Sequence, residues 1–432
     1  MSRVADIASS CRHEPSQVVA LNSVRNEFRT ARGRATQGLI PRHAGCRLYS
    51  LLVTRDIPDA QGGQIRASTL ELFFDLVFIF TATQLTHAFT EHPGWPALGR
   101  VVLVLALTWW MYSAYVWLTN EVAPTSTARR TGLLVAMFGF LVIAISIPGA
   151  FDDFGLAFAL GYTVVNVMHS VLFWANAGAQ VSAAALRLVP PNTACAVLVL
   201  IGGCVHGWPR YLLWAAAVMV QIVTPYVFDT AGFVIRTTHF CERHGLVLLI
   251  AIGESVVAIG AGLAGENLTI ALLAMVALAL TLASMLWWAY FGMDDERGER
   301  ALAAVPEPRR ARLAAFAYGY ALYPMLVGVI LTAAGIRPVL TQGHRPVPVS
   351  AALALSGGVA LFLFGQYCFR LVLRLPRPWL RLFGASAVLA TAPVGVVWAG
   401  WAQLLVLVIV GYVPVLADDA LSMRAGEHNA YL

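Results

Sequence analysis

The chain has 432 residues, of which 59% are hydrophobic and only 12% are charged, and its mean hydropathy is +0.71. This composition excludes a large soluble enzyme and is typical of a protein that crosses the membrane many times. The formal net charge is +6, and every basic residue is an arginine, which excludes a Schiff-base lysine and a lysine-dependent phosphate loop. We expect this charge to face anionic lipid headgroups and not nucleic acid.

Residues 1–66 contain ten arginines among small and polar residues, without sustained periodicity and without the apolar core of a signal peptide. We predict a disordered basic N-terminal arm. Two interpretations stay open: an arm on the cytoplasmic membrane surface, or a weakly constrained extension outside the native protein.

Apolar runs of helical length follow one another from residue 70, and runs of 17–25 residues suit a bilayer core. The pattern predicts an all-α polytopic bundle of about twelve spans. The runs are 70–89, 97–118, 131–149, 155–176, 193–207, 209–230, 245–264, 268–291, 312–335, 349–373, 379–397 and 400–416.

Arginine is distributed unequally between the two ends of these runs. With a cytoplasmic N-terminus, fifteen arginines fall in inside segments and four in outside segments, the tail excluded. This positive-inside bias predicts that both termini are cytoplasmic.

Several features recur with an offset near 180: Trp109-Trp110 with Trp287-Trp288, Arg129-Arg130 with Arg309-Arg310, and Asp75 with Glu254. Six spans separate the equivalents, which predicts a parallel 6+6 repeat. The predicted domains are a first repeat over 67–236, a second over 237–418, and a short cytoplasmic tail over 419–432.

The first run opens with two carboxylates, Glu71 and Asp75, which are four residues apart and therefore share a helix face. The helix dipole accounts for Glu71 near the N-terminus, but Asp75 lies deeper among apolar residues. Gln84 adds a weaker polar position further along. A carboxylate in hydrocarbon normally faces a protein interior or a water-filled cavity.

Glu254 lies near the middle of the seventh run, followed by Ser255. An intramembrane acid indicates charge transfer or cation contact. The neighbouring Gly253 and Gly260 predict close packing against another helix.

The fourth run carries Tyr162, Asn166 and His169 along one stripe, which must face the bundle interior. Hydrogen bonding between helices and the lining of a hydrated path are both open. By contrast, residues 294–300, with five charged side chains among the first six, are predicted to form a solvated cytoplasmic loop.

Two longer motifs resemble the bacterial low temperature requirement A membrane proteins over about residues 69–416. One is Glu71-Leu-Phe-Phe-Asp75-Leu-Val-Phe; the other runs from the cytoplasmic-end residues His239, Glu242, Arg243 and His244 to Gly253-Glu254-Ser255. The resemblance implies a polytopic protein of the inner (plasma) membrane linked to growth in the cold. The sequence departs from the family at Asn166, where a basic residue is expected, and near Leu322, where a histidine is expected.

Our leading functional hypothesis is a secondary transporter, or an ion- or proton-translocating protein, that uses Asp75 and Glu254. The alternatives are a cation channel, an envelope assembly factor and a membrane enzyme. We see no catalytic constellation and predict no cofactor and no metal site, since His239, Cys241 and His244 do not match a common zinc spacing. The expected partners are the lipid bilayer and a small solute, proton or cation. Whether the chain forms an oligomer stays open.

Overall fold

The computed structural model describes residues 67–176, 179–227, 235–263, 267 and 269–424. The described residues form fifteen α-helices and no strand. In chain order they are α1 Thr69–Glu91, α2 Trp95–Glu121, α3 Thr127–Ser146, α4 Gly155–Asn176, α5 Ala179–Cys204, α6 Trp208–Val227, α7 Thr237–Gly262, α8 Ile270–Phe291, α9 Asp294–Ala303, α10 Glu307–Ala314, α11 Leu322–Gln342, α12 Val349–Leu373, α13 Pro378–Leu389, α14 Ala392–Val397 and α15 Gly400–Arg424. A 3-10 turn, Ile147–Gly149, extends α3, and a π-helix, Ala315–Ala321, joins α10 to α11.

Twelve stretches of helix are long and apolar enough to cross a membrane, which confirms the predicted fold class and the number of spans. Three of these stretches contain more than one α-helix: Ile270–Ala303, Arg309–Gln342 and Pro378–Val397. The predicted N-terminal arm, residues 1–66, lies outside the described residues.

Two helices extend beyond the runs predicted from hydropathy. α5 begins at Ala179 and contains Pro190 and Pro191, whereas the apolar run began only at residue 193. α15 continues to Arg424, so the part of the predicted tail that the structure describes is helical. Hydropathy ends that span early because Asp418 is charged, but this side chain is buried in the protein and not exposed.

The start of α1 is fixed by a capping box. The Glu71 backbone N–H donates to Ser68 Oγ at 3.3 Å, and the Ser68 backbone N–H donates to Glu71 Oε2 at 2.9 Å. These two bonds satisfy donors that a helix start would otherwise leave unpaired. They also set Glu71 and Asp75 at the third and seventh positions of the helix.

The span that contains α11 is the centre of the bundle, with 83% of its most apolar window buried. α11 crosses α12 closely, because glycines on both helices let the backbones meet. A Cβ atom on Gly328 would lie 2.5 Å from Gly358 O, and one on Gly358 would lie 2.5 Å from Thr332 N. Further along, a Cβ on Gly335 would lie 2.6 Å from Leu355 N.

The close helix packing predicted at Gly253 and Gly260 is wrong. A Cβ atom added at either position would meet no atom within 4 Å among the described residues. Small residues permit close approach but do not enforce it, so spacing alone selected the wrong helix.

Candidate functional site

A buried arginine joins the two carboxylates of α1. Arg243 Nη2 donates to Asp75 Oδ1 at 2.6 Å, and Arg243 Nε donates to Asp75 Oδ2 at 3.2 Å. The same guanidinium donates through Nη1 to Glu71 Oε1 at 2.8 Å. All three side chains are at most 3% exposed. Arg243 and Asp75 therefore form a bidentate arginine–carboxylate contact in the protein interior.

Three further side chains, Tyr112, Thr119 and His239, contact these charged groups. We call the six residues together the Arg243 network: Glu71, Asp75, Tyr112, Thr119, His239 and Arg243. Tyr112 OH donates to Asp75 Oδ1 at 2.8 Å, and Arg243 Nη1 donates to Thr119 Oγ1 at 3.2 Å. His239 Nε2 lies 3.1 Å from Glu71 Oε1. The N-terminal turns of α1 and α7 and the C-terminal half of α2 therefore meet at one end of the bundle, which we call the α1 end.

The Arg243 network is a tightly held set of charges. Two carboxylates and one guanidinium carry a formal charge of −1, so a proton on His239 or on a carboxyl group would make the network neutral. Removing one partner from such a buried group is costly because it leaves an unpaired charge. The geometry thus favours a clamp between α1 and α7 over a freely exchanging site.

The other two residues of the motif that begins at His239, Glu242 and His244, have different surroundings. Glu242 is half-buried, and its Oε2 accepts a bond from the Ala67 backbone N–H at 3.2 Å. His244 is fully buried, with Nδ1 2.9 Å from Phe240 O and its ring packed against Trp109 and Tyr318. Among the described residues, His244 Nε2 has no hydrogen-bond partner.

Glu254 lies apart from the Arg243 network, at the eighteenth position of α7. It is half-buried and lies beside the Thr83 hydroxyl of α1, while Gln84 next to Thr83 is also half-buried. In the part of the chain that the structure describes, no arginine or histidine forms an ion pair with Glu254. The adjacent Ser255 is fully buried, and its hydroxyl has no described partner.

The predicted stripe on α4 faces the interior: Tyr162, Asn166 and His169 are all at most 5% exposed. Gln221 Nε2 donates to Tyr162 OH at 2.6 Å, and Asn166 Nδ2 donates to Asn192 O at 3.0 Å. These bonds join α4 to α6 and α5. They are the hydrogen bonds between helices that the first interpretation of this stripe predicts.

His169 also borders a cavity of about 110 Å³ between α2, α4, α5, α6 and the π-helix. His169 Nε2 lies 3.2 Å from Ala114 O, whereas Nδ1 is buried without a described partner. Ser113 and Thr224 add hydroxyl groups to the lining, and Trp117 adds an aromatic wall. The rest of the lining is mostly apolar, so the second interpretation, a hydrated path, rests on His169 and these two hydroxyl groups.

The cavity beside His169 does not reach the carboxylates, since neither Asp75 nor Glu254 lines it. Tyr112 of α2 carries the contact to Asp75, while His169 touches the backbone of Ala114, two residues further along α2. Among the described contacts, none joins Asp75 or Glu254 to His169 or Tyr162. Tyr115 of α2 lies between the two groups, because its ring packs against Phe74, next to Asp75, at a centroid distance of 5.0 Å and against His169 at 5.3 Å.

A second charged cluster, the Asp418 network, was not predicted. It consists of Asp294, Arg297, Arg370, Arg377, Arg381, Asp418 and Ser422. Arg370 Nε and Nη2 each donate to Asp294 at 2.8 Å, and Nη2 also donates to Asp418 Oδ2 at 2.6 Å. Arg297 Nη1 lies 3.3 Å from Asp418 Oδ2.

The prediction of a solvated loop over 294–300 is therefore wrong. These residues start α9, and Asp294 is fully buried against Arg370. The Thr238 hydroxyl of α7 donates to Glu299 of α9 at 2.6 Å, so the Asp418 network lies at the α1 end as well. Residues 294–300 look solvated in the sequence because their charged partners lie in α12, α13 and α15, which follow much later in the chain.

One signal in the sequence pointed to the missed cluster. Arg370 and Arg381 fall inside apolar runs, where a buried arginine normally pairs with an acid. The comparison of arginines on the two sides of the membrane counts both as residues of inside loops. Asp418 likewise follows an apolar run directly.

Comparison with known proteins agrees with the resemblance carried by these motifs. The family profile described as Bacterial low temperature requirement A protein (LtrA) matches residues 66–416. The chain is also 28% identical over 340 residues to a protein of Rhizobium meliloti (strain 1021) named Uncharacterized protein RA0937, an alignment that covers 76% of this chain and 83% of the relative. The matched range includes the Arg243 network and Glu254. The chain therefore belongs to the bacterial low temperature requirement A family.

Proposed function

We propose that the chain is a membrane transport protein that moves a proton or small cation, alone or coupled to a solute, by protonation and deprotonation of Glu254. The proposal rests on a difference in cationic partners between Glu254 and the two acids of α1. Glu71 and Asp75 are bonded to Arg243, whereas Glu254 has no cationic partner among the described residues. An unpaired carboxylate far from its helix ends is costly unless it gains and loses a proton or meets a cation.

The surroundings of Glu254 support this role. Its carboxylate lies beside Thr83, and the neighbouring Gly253 position has no atom within 4 Å of a Cβ site, so room exists next to the acid. Gln84 and Ser255 supply additional polar groups on the two facing helices. Such groups can hydrate or coordinate a passing ion.

The proposal changes the role that the sequence suggested for Asp75. Its oxygens accept three bonds from Arg243 and Tyr112, so protonation at Asp75 would have to break a buried ion pair. We assign Asp75 and Glu71 to holding α1 against α7 while Glu254 exchanges its charge.

The test is flux into proteoliposomes, measured with a pH-sensitive dye and with cation-selective electrodes under an imposed membrane potential. We expect wild-type protein to carry a proton or cation current and Glu254→Gln to lose at least about tenfold, since the amide keeps the shape and lacks the exchangeable charge. Glu91→Gln is the matched control, because Glu91 is exposed at the far end of α1 and should keep wild-type flux.

Two results would contradict the proposal. Equal flux in wild type and Glu254→Gln would remove the carboxylate from the mechanism. No flux in folded wild-type protein would favour the envelope-factor alternative, in which the buried charges serve only to hold the bundle together.

A further inference from the structure

A basic groove opens at the α1 end, and no residue of either charged network lines it. It has a volume of about 660 Å³ and lies between α9, α10 and the C-terminal end of α12. We call it the Arg374 groove. Its lining combines three arginines with an apolar wall: Arg309, Arg312 and Arg374, with Leu313, Phe316 and Val372 among the apolar residues.

The three arginines of the Arg374 groove are available to a ligand. All three are exposed, and within the described residues none of them contacts a carboxylate. Arg312 instead lies over the Phe316 ring, with its guanidinium carbon 5.9 Å from the ring centroid. The nearby Arg310 differs, since its guanidinium donates to Val305 O at 3.0 Å and helps to hold the loop that borders the groove.

No residue that lines the groove is acidic, so no carboxylate within the lining balances its three positive charges. Arg309 and Arg312 are three positions apart on α10 and share a face. Arg374 faces them from the end of α12, where its backbone adopts the left-handed region with φ +55°. This conformation is uncommon for a residue other than glycine, asparagine or aspartate.

The groove lies where three stretches that are long and apolar enough to cross a membrane begin or end, so we place it near the lipid headgroups. One span ends at Ala303, the next begins at Arg309, and a third ends at Leu373. Arginine guanidinium groups bind phosphate oxygens in a two-pronged geometry, and basic pockets between membrane helices bind phosphorylated lipid headgroups. The apolar wall would contact the glycerol and the start of the acyl chains, which a free phosphate ion lacks.

We propose that the Arg374 groove is a binding site for the phosphate headgroup of an anionic phospholipid. The inference is independent of the transport proposal, because neither Glu254 nor the Arg243 network lines the groove. It predicts a lipid that remains bound in the purified protein and that is selected by negative charge.

The test is native mass spectrometry of the full-length chain in neutral detergent, titrated with dioleoyl phosphatidylglycerol. We expect Arg309→Gln/Arg312→Gln/Arg374→Gln to bind this lipid roughly a hundredfold more weakly, since each arginine near an anionic lipid contributes about a factor of five. Dioleoyl phosphatidylcholine should bind weakly and equally to both proteins. Monodisperse elution of the variant checks that it is folded.

The matched control is Arg187→Gln/Arg236→Gln/Arg424→Gln, which removes three exposed arginines from the same end of the bundle. We expect it to change phosphatidylglycerol affinity less than twofold. An equal loss in both triple variants would overturn the proposal, because binding would then follow net charge. Displacement of the lipid by millimolar inorganic phosphate would also overturn it, because the groove would then be a free-phosphate site.

Discussion

Arg243 shows why single residues in this chain have to be interpreted together with their partners. It occupies the seventh position of α7, and Asp75 occupies the seventh position of α1. The third positions, Glu71 and His239, are likewise in contact at 3.1 Å. Equivalent positions of two helices therefore carry opposite partners of one buried network.

We predict that Arg243→Gln destabilises the protein by roughly 3–5 kcal/mol, because two buried carboxylates lose their counter-charge. Thermal unfolding in detergent measures the change. Adding Asp75→Asn should restore part of the loss, since one unpaired carboxylate is then removed. Arg236→Gln, an exposed arginine just before α7, is the control; an equal effect there would show that the buried contacts contribute nothing specific.

Sequence reasoning could identify Glu71, Asp75 and Arg243 as unusual, because charges within or beside apolar runs require a reason. It could not pair them, since Asp75 and Arg243 are 168 residues apart and hydropathy carries no information about which helices touch. Glu254 lies in a stretch that is long and apolar enough to cross a membrane, but whether it had a partner depended on the fold.

At the level of helices, the close crossing of α11 and α12 is the packing feature most open to test. Gly357 and Gly358 are neighbours in the sequence but face different surroundings. A Cβ on Gly358 would lie 2.5 Å from Thr332 N, whereas one on Gly357 would meet nothing within 4 Å.

We predict that Gly358→Ala lowers stability by about 1–3 kcal/mol through overpacking. Gly357→Ala should be neutral or stabilise the helix by up to about 1 kcal/mol, because alanine is the better helix former. Thermal unfolding of the two variants side by side is the measurement. Similar behaviour of both would mean that α11 and α12 do not approach as closely as described.

At the level of the whole molecule, the 6+6 repeat stays a prediction. The helix packing indicates which helices should be equivalent in the two halves. α1 packs against α2 and α3, and α7 packs against α8 and α11 in the same order of spans. The equivalence of Asp75 and Glu254 does not hold, since these acids lie at the seventh and eighteenth positions of their helices. The offset is 168 at the first helix of each half, where Thr69 aligns with Thr237, and near 180 at the tryptophan and arginine landmarks. We predict that the first six spans superimpose on the last six by a rotation about the bundle axis; an inverted relationship would contradict the repeat.

The orientation in the membrane also remains to be tested, and the chain provides its own probe. Cys204 is exposed at the end of α5, opposite the α1 end. With a cytoplasmic α1 end, a membrane-impermeant maleimide should label Cys204 in intact spheroplasts, and Cys204→Ala should lose the label. Labelling that requires permeabilised membranes would reverse the orientation.

Fold class and number of spans could be predicted from the sequence because the bilayer fixes the length and polarity of each helix. The Asp418 network could not, because Asp294 and Asp418 look solvated until α9, α12, α13 and α15 are brought together. Local patterns specify the helices, while the contacts among distant charges follow only from the assembled bundle.

The central claim is that Glu254, and not Asp75 or Glu71, is the carboxyl group that gains and loses a proton. An apolar carbodiimide tests it directly, because the reagent adds to a protonated carboxyl group that is accessible from the membrane. After treatment of the protein in native membranes, peptide mass spectrometry locates the adduct. We predict modification of Glu254 that increases as the pH is lowered, and no modification of the two acids bonded to Arg243. An adduct on Asp75 or Glu71, or none on Glu254 at any pH, would contradict the account.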